Sequence, residues 1–490
     1  TFALGASGTP PLFYQWFQDG VSVTGATNAN YTFIALLGSH TYYCSVTNSQ
    51  SAGTPTLSST ATVVGMPSTS LNPSDYTDRM KISFSGYNRG ETLQDFPVLV
   101  KLSTGISGFN YSHFASGTGG DLRFTDSNGS RVIPHEIDEW NPGGTSIVWV
   151  QMPALTGTND FIWAYWGNSS ATTPPPGTNV WVPQSWEGVP SYDMVYHLKE
   201  NGFPFADSTG VNPAVAGNPP TQAPGFVGTG QSFANAAYLV LGSNYVTSQF
   251  TVSAWVNLLS TDTAIQAIWA SKVGGFSNPG FGLYVNDFSN PGNGEVELET
   301  GTGLAAVTSP AGACPLGSWH LVTAVIDVTG GVAHLYVDAN NVGNGPIHTD
   351  MPLTNNVNLG SFVNGGNPFN GSIDEARIRF GTNSPNWVWA SYMTVAQNSS
   401  LQSYSTVNST VPNPITVQFQ RSGGNLVLSG NAGAAYSNQT YRVLSTTNVA
   451  LPLAQWTPVA TNPFANDGSF SSSVPLDSTT KSQFFRVAIP

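Results

Sequence analysis

The residues best suited to chemistry are three glutamates that alternate along one short stretch: Glu295, Glu297 and Glu299. Successive side chains of a β-strand point to opposite faces, so this spacing places all three carboxylates on one face, about 6.6 Å between neighbours. Retaining hydrolysis of a glycosidic bond needs two carboxyl groups about 5–5.5 Å apart, which converging side chains can reach. The pattern permits a glycoside hydrolase that uses Glu295 and Glu299. An exposed acidic strand face without catalysis is the favoured interpretation.

Two shorter motifs look like metal sites, but each lacks a ligand. His135 and Glu136 begin HEIDE, whereas a zinc-binding helix needs a second histidine at the position of Glu139. In a strand, His135 and Glu136 would point to opposite faces. The run DSNG at 126–129 opens like a calcium loop but lacks the terminal glutamate, and Asn-Gly favours a hairpin turn. Neither motif predicts a metal site.

Sugar recognition needs exposed aromatic rings beside fixed polar groups, because apolar sugar faces stack on rings while hydroxyl groups require hydrogen-bond partners. Four aromatic residues flank the Gly/Asn-rich turns between 274 and 294 and are candidates for glycan stacking: Trp269, Phe276, Tyr284 and Phe288. Trp255 and Trp319 lie in strongly hydrophobic runs and are predicted to belong to the core. For any single candidate, a structural role remains the favoured alternative.

The elements that must position these residues are predicted to be β-strands. Only 8% of the 490 residues are charged, against about 25% on average, while 40% are hydrophobic. The 52 glycines and 34 prolines indicate many turns. Alternating runs such as TVSAWVNL (251–258) and AHLYVDA (333–339) dominate, and helical periodicity is nearly absent. The chain is therefore predicted to be all-β, with tandem β-sandwiches.

Charge and cysteine content exclude several classes of function. The net charge of −13 argues against nucleic-acid binding, which needs clustered Lys and Arg. No apolar run approaches the ~18–20 residues of a membrane-spanning helix. Cys44 and Cys314 fall in different predicted domains and are expected to be unpaired. Ser, Thr, Asn and Gly replace Lys and Glu almost throughout, which predicts a secreted or bacterial cell-surface location. Because Thr1 already lies in strand-like sequence, either a leader has been removed or the chain is a fragment.

Polar, Pro-rich stretches divide the chain, because they disfavour both helices and central strands. They lie at 65–74, 172–179 and 405–414. The predicted domains are 1–65, 75–172, 181–404 and 415–490.

The first domain contains PLFYQWFQDG, GATNANY and VTNSQSAG, and resembles bacterial immunoglobulin-like repeats. Trp16 would be its core tryptophan, and Tyr42 precedes Cys44 at the tyrosine-corner spacing. The position expected to pair with Cys44 lies near Leu4, so the resemblance implies no intersheet disulfide. It also implies a first strand before Thr1, and hence an open edge to which a second copy could donate a strand in a head-to-tail fibre. The alternative is that upstream sequence completes the domain.

The second domain resembles a bacterial domain of unknown function found in large surface and secreted proteins. The matching runs are FPVLVKL (96–102), GDLRFTDSNGSRVIPHEIDEW (120–140), IVWVQMPAL (147–155) and FIWAYWGN (161–168). This resemblance implies a jelly-roll-like sandwich without established chemistry. The fourth domain is similar to small β domains that end bacterial surface proteins.

The third domain resembles the laminin-G-like, concanavalin-A-type jelly roll. The resemblance rests on YHLKENGFPFADSTG (196–210), FTVSAWVN (250–257), GSWHLVTAVID (317–327), HLYVDANNVG (334–343) and FNGSIDEARI (369–378). It implies one structural Ca²⁺, with Asp374 and Asp207 as the matching carboxylates. Alternatively, Asp207 caps a turn and Asp374 accepts backbone N–H groups. Glucanases of this type carry Asp at the centre of their acidic strand, where this chain has Glu297.

These observations predict a non-catalytic extracellular surface or matrix protein that acts in adhesion or assembly, including filaments or sheets joined by strand donation. The alternative is a glycan-binding accessory region of a larger carbohydrate-active enzyme. A glycoside hydrolase that uses Glu295 and Glu299 is the third hypothesis. The expected partners are a second copy of the chain and a glycan, and the candidate cofactor is structural Ca²⁺.

Overall fold

The structure is a computed structural model that describes most of the chain between residues 2 and 488. The residues within that span that it leaves undescribed are 24, 32–37, 51–53, 66–70, 130, 182–191, 244–247, 260–264, 275–276, 289–291, 304–305, 352–355, 364, 410–415, 433–435, 437–438, 450, 452–454 and 481. The described residues form two compact units, residues 1–76 with 80–407 and residues 77–79 with 408–490. As predicted, the architecture is nearly all β, with several separate sheets. In the described part of the chain, no helix has the length and apolarity needed to cross a membrane.

The first segment contains seven strands. They are β1 (Phe2–Ala3), β2 (Leu12–Gln18), β3 (Val21–Ser22), β4 (Asn30–Tyr31), β5 (Gly38–Asn48), β6 (Thr56–Leu57) and β7 (Ala61–Gly65). One sheet pairs β1 with β4, and the other has the order β3-β2-β5-β6, with β7 also on β5. Trp16 lies directly opposite Cys44, and both are buried. The immunoglobulin-like assignment stays a prediction.

The second predicted domain is a sandwich of two sheets, and we call it the second sandwich. Its strands are β8 (Asp78–Ser83), β9 (Leu93–Ser103), β10 (Arg123–Thr125), β11 (Val132–Ile133), β12 (His135–Glu139), β13 (Thr145–Leu155) and β14 (Phe161–Trp166). One sheet has the order β12-β13-β9, and the other runs β11-β10-β14-β8. Alternate residues of β9 and β13, such as Val98 and Val150, are fully buried in the core between the sheets. Short 3₁₀ helices lie at Pro73–Asp75, Tyr111–His113 and Gly177–Val180.

The jelly roll follows, with fifteen strands among its described residues. They are β15 (Tyr192–Tyr196), β16 (Ala216–Asn218), β17 (Thr221–Pro224), β18 (Thr229–Phe233), β19 (Tyr238–Ser243), β20 (Gln249–Leu258), β21 (Gln266–Ala270), β22 (Phe281–Val285), β23 (Val296–Thr300), β24 (Ala306–Thr308), β25 (Trp319–Asp327), β26 (Val332–Val337), β27 (Asn340–Pro346), β28 (Asn356–Leu359) and β29 (Gly371–Phe380). One sheet has the order β17-β18-β29-β20-β25-β26-β27, with β15 also on β29, and the other runs β16-β19-β28-β21-β22-β23-β24. The hydrophobic core contains residues of both sheets.

Two helices follow the jelly roll, α1 (Pro385–Ala396) and α2 (Asn398–Leu401), although the sequence pattern predicted almost no helix. The helix α1 begins at a well-formed N-cap, because the Ser384 hydroxyl accepts the backbone N–H of Trp387 at 3.1 Å and proline occupies the first helical position. Apolar residues on several sides of α1 obscure the periodicity, because its surroundings bury more than one face. The strand β30 (Ser403–Tyr404) then pairs with β8.

The second compact unit contains β31 (Asn408–Ser409), β32 (Thr416–Ser422), β33 (Asn425–Asn431), β34 (Thr440–Thr446), β35 (Thr457–Pro463), β36 (Ser469–Pro475) and β37 (Phe484–Ala488). Two three-stranded sheets, β32-β33-β36 and β35-β34-β37, enclose a core that includes Leu428, Val443 and Phe470.

Candidate functional site

The three-strand region β21–β22–β23 of the jelly roll has a hydrophobic face and a polar face. Leu283, Val285 and Leu298 point into the core. Because strand side chains alternate, Tyr284, Glu297 and Glu299 lie on the opposite face. Tyr284 pairs with Glu297 across β22 and β23, and Gly282 pairs with Glu299. We call Lys272, Tyr284, Glu297 and Glu299 the acidic sheet face.

The acidic sheet face is a connected group of buried polar side chains, so the expectation of an exposed acidic strand face is wrong for Glu297 and Glu299. The Lys272 ammonium, which is fully buried, lies 3.3 Å from a carboxylate oxygen of Glu299. The Tyr284 hydroxyl is hydrogen-bonded to the carboxyl groups of Glu297 and Glu299. Lys272 is the only Lys or Arg between Lys199 and Arg377. This isolation among acidic residues was the sequence feature that pointed to an ion pair with a carboxylate.

Burial changes the protonation behaviour of this group. Removal from water raises the pKa of Glu297 to about 7; the hydrogen bond from Tyr284 opposes that rise, and the charges of Glu299, Asp287 and Glu295 add to it. Burial also lowers the pKa of Lys272, against the attraction of Glu299. Near neutral pH, Glu297 can therefore donate or accept a hydrogen bond, whereas the Glu299 carboxylate has a cationic partner.

The packing of one ring holds Tyr284 in position. Gly282 has no side chain, and a Cβ there would lie only 3.0 Å from the ring of Phe362. Phe362 can therefore approach the sheet closely, and its ring centroid lies 6.2 Å from that of Tyr284. The glycine thus admits the ring that fixes the tyrosine beside the two carboxyl groups.

The hairpin that joins β22 to β23 carries an exposed aromatic residue and several fixed polar groups. Phe288 is 77% exposed. In the same hairpin, the Asn293 side-chain amide donates to Glu295 at 2.9 Å, and Asn286 accepts the backbone N–H of Gly294 at 3.1 Å. Glu295 lies just before β23 and is half-buried. The hydrogen-bond donor to the Glu295 carboxylate is therefore Asn293, a residue of the same loop.

The structure separates the four glycan-stacking candidates. Trp269 is fully buried in the core and donates its indole N–H to the Ser253 carbonyl at 3.2 Å. A register shift between Ala267 and Trp269 places both Ile268 and Trp269 in the core. Tyr284 is also buried, Phe276 lies outside the described residues, and Phe288 alone among the three described candidates exposes its ring.

The two calcium candidates have separate structural roles in the part of the chain that is described. Both carboxylate oxygens of Asp207 accept hydrogen bonds, from Val195, Thr209 and Asn212. Asp374 accepts the backbone N–H of Val227 at 2.8 Å. These bonds match the alternative interpretation, in which Asp207 caps a turn and Asp374 accepts a backbone N–H group. The structural Ca²⁺ therefore stays a prediction, and one buried carboxylate oxygen of Asp374 has no hydrogen-bond partner among the described residues.

The HEIDE motif forms the strand β12, so His135 and Glu136 point to opposite faces. His135 is buried with its ring centroid 5.2 Å from that of Phe124, and burial, together with the charge of Arg123, lowers its pKa to about 3. Glu136 accepts a hydrogen bond from the Ser208 hydroxyl at 2.8 Å. These two side chains have no common ligand position. Cys44 and Cys314 are both buried and free, as expected.

Two family models match parts of the chain. Residues 233–388 match the concanavalin A-like lectin/glucanases superfamily, and residues 118–195 match a domain of unknown function, DUF2341. These matches confirm the expected jelly roll and the expected domain of unknown function. No curated protein matches the chain.

Several solved structures show low similarity. Domain 4 of AbnA, a GH43 extracellular arabinanase from Geobacillus stearothermophilus, in complex with arabinotriose, is 21% identical over 41% of this chain and 98% of that chain, with a TM-score of 0.33. The CBM40 of the Ruminococcus gnavus IT-sialidase is 20% identical over 30% of this chain and 83% of that chain, with a TM-score of 0.26. A SAP-like pentraxin from Limulus polyphemus is 15% identical over 31% of this chain and 73% of that chain, with a TM-score of 0.25.

Proposed function

We propose that this chain is a glycan-binding region of an extracellular protein, and that it binds sugar at the β22–β23 hairpin of its jelly roll. The observation that carries the proposal is the exposed ring of Phe288 in a hairpin whose polar groups are held in place. The match of residues 233–388 to a lectin and glucanase superfamily supports it. The low-charge, hydroxyl- and amide-rich composition is typical of a protein that acts outside the cell.

The chemistry of the hairpin suits a hydroxyl-rich ligand. The Phe288 ring offers a flat apolar surface for one face of a sugar. Asp287 and Glu295, whose carboxylate is held by the Asn293 amide, belong to the same hairpin and provide hydrogen-bond acceptors. An uncharged or basic sugar suits this group better than an acidic one, because the surrounding charges are negative.

We expect Phe288→Ala to weaken binding of a glycan identified on an array roughly two- to twelvefold, the equivalent of one stacking contact of about 0.5–1.5 kcal/mol. Isothermal titration calorimetry on the full chain measures the change. The matched control is Phe419→Ala, which removes a ring that is 58% exposed in the second compact unit. Equal binding by Phe288→Ala and the unmodified chain would exclude this hairpin as the site.

The same protein and glycan also test the expectation that the chain is not an enzyme. Glu299 is buried beside a lysine that neutralises its charge, so it is a poor nucleophile. We expect no release of reducing ends on prolonged incubation. Release that disappears in Glu299→Gln would replace binding with hydrolysis as the proposed function.

A second candidate function, adhesion or assembly through self-association, is favoured by a groove in the first segment. It has a volume of about 300 Å³ and is lined by residues that include Leu4, Leu12, Val46 and Leu57. The short strand β6 forms part of its wall, and Leu57 is 58% exposed. If a second copy fills the groove with an extended segment, electron microscopy should show regular filaments or sheets that Leu57→Lys abolishes. Elongated monomers at all concentrations would contradict assembly.

A further inference from the structure

The helical segment that follows the jelly roll returns to the second sandwich. Trp387 of α1 packs edge-on against Phe96 of β9, with ring centroids 5.0 Å apart. Ala390 and Leu401 are fully buried in the core of that sandwich, although the whole jelly roll separates them from it in sequence. These residues therefore complete the core of a domain whose other strands precede the jelly roll.

The same segment closes an open sheet edge. In the order β12-β13-β9, one side of β9 has no neighbouring strand among the described residues. There, the Leu99 N–H donates to the Thr394 hydroxyl at 2.8 Å, and the Leu99 carbonyl accepts from Asn398 and Gln402, each at 2.8 Å. The N–H of Lys101 donates to the Tyr404 hydroxyl at 2.9 Å. Side chains thus satisfy backbone groups that would otherwise invite aggregation.

The jelly roll also packs against this sandwich through an apolar cluster. Members of the cluster come from the sandwich, from the jelly roll and from α1: Leu99, Ile147, Trp149, Val180, Trp181, Tyr192, Val195, Val227, Trp255, Leu321 and Val395. All of them are buried. A shared core of this kind differs from the polar contacts typical of two mobile domains.

An ionic network centred on the buried pair His197 and Glu375 lies beside the apolar cluster, and we call it the His197 network. Its members are Glu136 and Asp138 of β12, His197 and Lys199 after β15, and Glu375 and Arg377 of β29. His197 lies 2.8 Å from Glu375, 3.3 Å from Glu136 and 3.9 Å from Asp138. Lys199 pairs with Asp138 at 2.8 Å, and Arg377 pairs with Glu375. The network therefore links strands of both domains.

A bulge in β29 brings the jelly-roll carboxylate to this interface. The pairing of β20 with β29 shifts between Ser253 and Trp255, and Glu375 has a φ of 50°. Ile373 and Ala376 lie in the jelly-roll core. The bulge therefore places the two residues between them, Asp374 and Glu375, on the opposite face of the sheet. The Arg377 guanidinium lies 4.1 Å from the ring centroid of Trp149 and 4.7 Å from that of Trp181.

The charges in the network balance when His197 is protonated. Three carboxylates (Glu136, Asp138 and Glu375) then face three cations (His197, Lys199 and Arg377). Burial alone lowers the pKa of His197, but the carboxylates of Glu375, Asp138 and Glu136 outweigh burial and hold that pKa well above its usual value. Burial, followed by the charge of Glu375, raises the pKa of the adjacent Asp374 and favours its neutral form.

We propose that residues 80–181 and 385–407 form one domain into which the jelly roll, residues 192–381, is inserted, and that the His197 network and the shared apolar cluster make the two unfold as one cooperative unit. The insertion fixes the orientation of the jelly roll relative to its host domain. A glycan bound to the jelly roll would then be held rigidly, without a hinge between the two domains.

Hydrogen exchange in increasing denaturant, followed by mass spectrometry of the full chain, tests the proposal. Val256→Ala weakens the jelly-roll core only, because Val256 is fully buried there. We expect peptides from β9 and β13 to lose protection at the same lowered denaturant concentration as peptides from β20 and β25. The matched control is Val215→Ala, the same substitution at an exposed position of the jelly roll. We expect it to leave unchanged the denaturant concentration at which both sets of peptides lose protection.

The reverse experiment uses Val98→Ala, at a fully buried position in the host-domain core. We expect it to lower the protection of β20 and β25 together with that of β9 and β13. It also keeps the proposal testable if Val256→Ala does not fold. If either variant shifts only the peptides of its own domain, the two domains unfold independently and the proposal is wrong.

Discussion

Replacing His197 with glutamine is expected to lower the free energy of unfolding of the host domain and jelly roll by about 3–5 kcal/mol, the usual result of removing one partner from a buried ion pair. Glutamine retains a hydrogen-bond donor but carries no charge. The carboxylates of Glu136, Asp138 and Glu375 would then face only Lys199 and Arg377. An uncompensated negative charge would remain around the buried Glu375 carboxylate.

The pH dependence of stability has a defined sign in this network. The pKa of His197 is raised in the folded state, so its contribution is fully present below the unfolded value near 6.5 and is lost as pH rises through the folded pKa. The pKa of Glu136 is about 2: burial raises it, but the charge and hydrogen bond of His197 and the bonds from Trp181 and Ser208 outweigh burial. Its contribution is present above about 4.5 and is lost as pH falls toward 2. The network is therefore most stabilising between about pH 4.5 and 6.5.

Urea unfolding of the unmodified chain and of His197→Gln, from about pH 6 to pH 10, measures the histidine contribution as the difference between two curves. Asp193 also makes the free energy of unfolding depend on pH, in the same way in both proteins. Burial and the charge of Asp207 raise its pKa to about 8, so the folded state loses stability as pH rises toward that value. We expect the difference between the curves to shrink toward alkaline pH. The control is His334→Gln, at a half-buried position on β26. A difference that stays constant with pH would show that His197 acts by packing and not by charge.

Replacing Lys272 with methionine is expected to cost about 3–5 kcal/mol of stability, because it leaves the buried Glu299 carboxylate without its cation. The Tyr284 hydroxyl still donates to Glu299 but supplies no positive charge, and Glu297 belongs to the same acidic group. The effect should appear as a lower urea midpoint with an unchanged slope.

A double-mutant cycle separates the charge pair from the packing of the lysine chain. We expect Lys272→Met combined with Glu299→Gln to recover much of the stability lost in the single variant, because the buried charge is removed with its partner. Additive losses in the double variant would show that the two residues do not interact. In that case the close approach of Lys272 and Glu299 would not be a stabilising ion pair.

Local pattern was sufficient to predict the strands. TVSAWVNL and AHLYVDA became parts of β20 and β26, and the alternation in EVELE placed Glu297 and Glu299 on one face of β23. This succeeds because the two-residue period of a strand is a local property of the chain. The start of α1 was also readable, since Ser384 and Pro385 form a standard N-cap, but the apolar residues on several sides of the helix hid its period.

Burial and long-range partners were decided only by the tertiary structure. Trp269 and Phe288 looked alike as stacking candidates, yet a bulge buries the first and a hairpin exposes the second. The His197 network joins positions 136, 197 and 375, which no sequence spacing relates. The opposite charges attract one another strongly because folding brings them together and removes much of the surrounding water. The energy of that attraction depends on distances that exist only in the folded chain. The strands and the alternation of their side chains follow from local sequence, whereas the contacts that bury one face against another exist only in the folded chain.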